Sequence, residues 1–211
     1  MFKWYVMLFL VGLSADAQQL ELKIDSISID DSDKAERVFN LHYHISNLTD
    51  EPLRFFLDTS NIIPSTGGSS SMYPFYMLYE GNTFLEIGSV FSGSGRRTYN
   101  LEKTNFDSLQ TVIRQRKIDA IVKIAPKEVK KFTMDFHWNH ERYYQYQDME
   151  YYLEEKAQHF LEITMVLQKH IYQKELPEAL FNEIKADNRF IEGVFTSNKF
   201  PIDFQKAKTN P

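Results

Sequence analysis

The stretch VFNLHYHISNLTDEPLRFFLD, residues Val38 to Asp58, decides how this chain folds. Phe39, Leu41, Tyr43 and Ile45 fall on one side of an extended backbone, and Asn40, His42, His44 and Ser46 fall on the other. Side chains of a strand alternate with period two, so the pattern predicts a strand with one buried face. Asn47, Thr49, Asp50 and Pro52 are turn formers. Beyond them Leu53, Phe55 and Leu57 resume the apolar phase, and Phe56 opposite them predicts cover on both faces. A lone hairpin cannot bury its apolar face in water, so the rest of the chain must supply a second layer.

Working outward, Leu20, Leu22 and Ile24 alternate, and Ile27 and Ile29 alternate in the other phase. That shift predicts one strand with a bulge or bend near Asp25 and Ser26. Phe75 to Tyr79 and Thr83 to Ile87 flank Glu80-Gly81-Asn82 and read as a hairpin. Phe106, Leu109, Val112, Ile113 and Arg116 have helical spacing, predicting a short helix docked across the sandwich. Ile118 to Ile124 reads as a strand, Ala125 to Glu128 as a turn, and Phe132, Met134, Phe136 and Trp138 as the inner face of the next strand. Met149, Tyr152, Leu153 and Lys156 allow a helical reading of the segment before His159. His159 to Gln168 reads as a central strand with its odd positions inward. Leu176-Pro177-Glu178 opens a helix through Lys185, with Leu180, Phe181 and Ile184 inward. Ile191 to Thr196 and Phe200 to Phe204 close the fold. Eight or nine strands without regular helical crossovers predict a mainly β chain. The expected architecture is an antiparallel immunoglobulin-like β-sandwich with short helices in the long connections.

The termini stand apart from this pattern. Lys3, the apolar run Trp4 to Leu13 and the small-x-small site Ala15-Asp16-Ala17 predict a signal peptide over residues 1–17. Residues 18–206 are expected to form one β-sandwich domain, followed by a polar tail at 207–211. With no cysteine, a disulfide framework, a lipid-modified cysteine and a thiolate nucleophile are excluded. An export signal without cysteine points to a bacterial protein, periplasmic or secreted. The net charge of −5 survives cleavage, because Lys3 and Asp16 leave together, and it gives no reason to expect nucleic acid as a partner. After the signal, no stretch is long and apolar enough to span a bilayer as a helix.

Asn47-Leu48-Thr49-Asp50-Glu51-Pro52-Leu53-Arg54-Phe55 resembles the opening of intracellular proteinase-inhibitor-like domains and of related bacterial immunoglobulin-like domains. Ile124-Ala125-Pro126-Lys127-Glu128, leading to Phe132 and Trp138, resembles their later turn and strand. Lys127 stands where that pattern has glycine, and the export signal departs from an intracellular inhibitor. The resemblance covers about a quarter of the chain. It implies the sandwich and offers proteinase inhibition as one alternative function.

Three constellations bear chemistry. His42 and His44 form a His-x-His pair on one strand face, and His137 and His140 lie in another strand and its exit. Imidazoles two apart on a strand can share a metal ion, so a metal-dependent hydrolase or metal-binding protein is a second alternative. The plainer reading is a solvated face. Tyr143, Tyr144, Tyr146, Tyr151 and Tyr152 form a candidate platform for sugar or peptide, or else cover an open end of the sandwich. Arg96 and Arg97 follow a Ser-Gly-Ser-Gly run that can hold an anion, or they belong to a surface loop. The Gly-x-Ser-x-Gly elbow of serine hydrolases is absent, and no carboxylate spacing singles out an acid/base pair. Asn47-Leu48-Thr49 matches the glycosylation sequon, or is a plain turn. The expectation is an exported, non-catalytic binding protein with no cofactor, its partner an envelope protein or a polysaccharide.

Overall fold

The computed structural model describes residues 19–32, 36–65, 72–89, 106–139, 149–151, 153–154 and 156–205. The predicted signal peptide lies outside them, as does the predicted tail. The described chain is mainly β, and all but one of its strand pairs are antiparallel.

The decisive stretch forms β2 (Glu36–Asn47), the central strand of a three-stranded sheet. Its neighbours are β1 (Leu20–Asp30) and β9 (Val129–Asn139). Phe39, Leu41, Tyr43 and Ile45 are all buried, as the alternation requires. The register of β1 against β2 shifts between Ile24 and Ser26, where the phase of the sequence changes. Asn198 covers the bulge from outside. Its side chain accepts the Ile24 N–H at 2.8 Å and donates to the Ile24 carbonyl at 3.3 Å, doing the work of a neighbouring strand on that edge.

A second, larger sheet runs in the order β12 (Gly193–Thr196), β11 (His159–Leu167), β5 (Phe75–Glu80), β4 (Ile63–Pro64). In it β13 (Phe200–Ile202) also pairs with β11, and β6 (Thr83–Phe84) with β5. Gly81 makes the β5–β6 turn with φ 57°, a left-handed conformation that favours glycine. The expected second hairpin strand is divided: after β6 the chain enters β7 (Ile87–Ser89), which pairs with β10 (Met149–Tyr151). The helical reading of the segment before His159 is therefore corrected at 149–151. Three residues paired to another strand outweigh a weak 3.6-residue periodicity.

One continuous core lies between the two sheets. Tyr76 of β5 meets Phe136 of β9 with ring centroids 4.7 Å apart. Phe204, just beyond β13, touches Trp138 at 4.3 Å, Phe39 at 5.3 Å and His159 at 5.3 Å. Rings of this size supply the largest apolar burial per residue, roughly 2–3 kcal/mol each.

The remaining elements form a second layer of organisation. β3 (Leu53–Phe56) pairs with β8 (Ile121–Ile124). Helix α1 (Phe106–Asp119) leads into β8 and runs further than its periodicity suggested, consuming Ile118. Its predicted inner face is partly wrong: Val112 is 64% exposed, while Ile113 and Ile118 are half-buried. Helix α2 (Glu178–Ala186) starts behind Pro177, whose carbonyl accepts the Phe181 N–H at 2.9 Å. Phe181 and Ile184 are buried against Phe56, Tyr172, Leu176 and Phe190 in a separate small cluster.

Candidate functional site

The two stretches that carried the family resemblance meet in space. Asn47 is buried, and its side-chain amide donates to the carbonyls of Glu51 at 2.7 Å and Ala125 at 2.9 Å. Its side-chain oxygen accepts the Thr49 N–H and hydroxyl. The Asn47 N–H reaches the Glu128 carbonyl at 2.9 Å, and the Lys127 N–H reaches that of Thr49 at 3.2 Å. Asn47 thus locks the turns at 47–52 and 125–128 together. Its amide nitrogen is committed to these bonds and is no glycan acceptor. Lys127 sits at φ 58°, which accounts for the glycine of the related pattern.

These turns and the β3–β8 pair form one wall of a groove of about 550 Å³. Pro52, Arg54, Lys123, Ala125 and Glu128 line that wall, and Glu183 of α2 and Arg189 line the other. Backbone bonds fix the walls relative to each other. The Arg54 N–H donates to the Arg189 carbonyl and the Ile191 N–H to the Arg54 carbonyl, both at 2.8 Å. Asp187, only 8% exposed, holds two of the lining side chains. Arg54 donates to it through Nε at 3.0 Å and again through Nη2, and Arg189 donates through Nε at 3.0 Å and through its backbone N–H at 3.0 Å. The Arg54 guanidinium, helped by the Arg189 donors, holds the Asp187 carboxyl down at about 2. The carboxylate therefore stays charged and keeps two guanidinium groups oriented. Sequence reasoning passed over Arg54, Asp187 and Arg189 because up to 135 positions separate them and no local motif joins them.

Among the described residues the predicted histidines do not come together. His44 Nδ1 donates to Asp25 at 2.8 Å, and His42 Nδ1 shares a hydrogen bond with Thr133 at 3.1 Å. In the β2–β9 register His42 lies opposite Thr133 but His137 lies opposite Val38, four positions away. At roughly 3.3 Å per residue that is about 13 Å, too far for one ion. No group of three metal-ligating side chains occurs among the described residues. His140 lies outside them, as do Tyr143, Tyr144, Tyr146, Tyr152, Arg96 and Arg97. Tyr151 is corrected from surface to core: it is fully buried, its hydroxyl donates to the Tyr76 carbonyl at 3.0 Å, and its ring packs on that of Tyr76.

One buried histidine escaped notice. His159 opens β11 in phase with Leu161 and Ile163 and is sealed from water. Neither ring nitrogen makes a hydrogen bond of good geometry among the described residues, and the backbone of Ala157 is a polar group that acts on the ring. Burial lowers its pKa, outweighing the opposing pull of Glu80, the Ala157 backbone, Asp203 and Glu154.

No protein-family model matches this chain, and no curated protein or solved structure shows a significant match to it.

Proposed function

We propose that this chain is an exported β-sandwich of immunoglobulin-like type that acts by binding another molecule of a bacterial envelope or secretome. The groove carries the reading. Arg54 and Arg189 are held by the buried Asp187 before any ligand arrives, so little side-chain freedom is lost on binding. The groove has the volume of small-ligand and peptide sites. The Lys3 to Ala17 pattern supports export, to a periplasm or beyond.

No aromatic ring lines the groove among the described residues. Sugar sites commonly use aromatic faces for stacking, so a protein partner fits this groove better than a polysaccharide. The test is amide chemical-shift mapping of the mature chain against a panel of short peptides and oligosaccharides. Binding should move the resonances of Arg54, Lys123, Glu128 and Arg189. Perturbations confined to other surfaces would defeat the assignment of this groove.

A further inference from the structure

Resting on that reading of the groove, we infer that it captures the C-terminal carboxylate of a peptide whose last side chain is aliphatic. The argument begins with the charges. Arg54 and Lys123 are directly opposite in the β3–β8 register, so two cations occupy one cross-strand pair. Like charges in that position are destabilising unless something compensates. Arg54 is compensated by Asp187 and Glu183. Lys123 is not: among the described residues its ammonium takes part in no hydrogen bond or ion pair. Arg189 commits only Nε to Asp187, so its two Nη groups also retain their donors.

Each acid that lines the groove already has a donor on one of its oxygens. Glu183 accepts from both Nη groups of Arg54 at 3.3 Å. Glu128 accepts the Ala125 N–H. An ammonium and half of a guanidinium are thus left to receive an anion, in a place where one guanidinium edge is already oriented for a carboxylate.

The apolar part of the site adjoins these donors. Pro52 and Ala125 form the wall, and the aliphatic stems of Arg54 and Lys123 extend it. Lys123 precedes Ile124 and Ala125 directly, and Arg54 follows Pro52 and Leu53. A chain terminus places its carboxylate and its last side chain at a single point, which suits donors and wall that lie side by side. Capture of a terminal carboxylate is an established mode of peptide recognition.

The probe is a fluorescein-labelled Ala-Ala-Ala-Leu peptide followed by anisotropy at low salt with the mature chain. Its C-terminal amide and an amide-capped Ala-Asp-Ala-Leu peptide serve as controls. The free acid should bind at least about tenfold more tightly than either control, as expected for a charge-assisted pair. Lys123→Met and Arg189→Gln should each weaken the free acid several-fold and leave the amide unchanged. Lys123 is exposed, so its variant folds as the parent does. Equal binding of acid and amide overturns the proposal, and equal binding of the capped aspartate peptide overturns capture of the terminus. If an oligogalacturonate shifts the groove resonances and the peptide does not, peptide capture fails and the groove stands. If neither shifts them, both fail.

Discussion

Phe55 and Phe56 are neighbours in β3, yet Phe55 belongs to the core between the sheets and Phe56 to the small cluster beneath α2. The first core is built from alternating residues of long strands, with aromatic rings crossing from one sheet to the other. Among the described residues the second has six buried members, and the charged Arg54–Asp187–Arg189 cluster lies at its edge. A large apolar core is stable through area alone. A small one has less area to draw on, and here ion pairs and backbone bonds hold its helix against β3. The groove lies at that charged seam, so the half with the smaller core, expected to open more readily, is the half that presents the candidate site.

The comparison breaks first under truncation. Phe204→Ala should cost about 3–5 kcal/mol, because its ring joins Phe39, Trp138 and His159. Phe181→Ala should cost less, since the small cluster can collapse around the loss. Urea unfolding of both variants decides the point, and equal losses would show the two clusters to be one cooperative unit.

Asp187→Asn sharpens the difference. Its expected cost is roughly 1–3 kcal/mol, the range for hydrogen bonds to a charged group. Hydrogen exchange should quicken over residues 178–191 and stay slow in β1 and β2. The pH dependence follows from the lowered pKa. The folded carboxyl sits at about 2 against an ordinary 3.8, so its contribution is complete above 3.8 and is lost as the pH falls toward 2. The variant should lack that acid slope.

His159 tests the large core. Its folded pKa lies below the ordinary 6.5, so the unfolded chain binds the proton more readily. Stability is therefore full above pH 6.5 and falls on acidification below it. Glu80, Asp203 and Glu154 face the ring and moderate the loss. Replacing the ring by His159→Phe should flatten the slope between pH 7 and 5, read by denaturant midpoints at each pH. An unchanged slope would mean that another group titrates there.

The smallest effect is expected at Lys127→Gly. Relief of the left-handed backbone favours the variant, while loss of the Lys127 bond to the Leu48 carbonyl and the added freedom of the unfolded chain oppose it. The net gain should be under about 1 kcal/mol in thermal unfolding. A clear loss would mean that the lysine side chain, and not the turn, holds the 47–52 and 125–128 loops together.

The sequence by itself determined the strands that bury one face. Period-two alternation announced β1 with its bulge, β2, β9 and β11, because each such strand turns its apolar side to a core whatever lies opposite. It also determined the turn residues Pro52, Gly81 and Pro177, which act through their own backbones or nearest neighbours. Short strands were less legible: β10 is three residues long, and only its partner β7 makes it a strand. The tertiary structure alone decided the groove and the fates of the candidate residues. Tyr151 looks like surface in a tyrosine-rich run until β7 and β5 enclose it. His42 and His137 look like co-ligands until the β2–β9 register sets them apart. Arg54, Asp187 and Arg189 come together because β3 pairs with the segment after α2, and the attraction between distant charges leaves no mark on local periodicity.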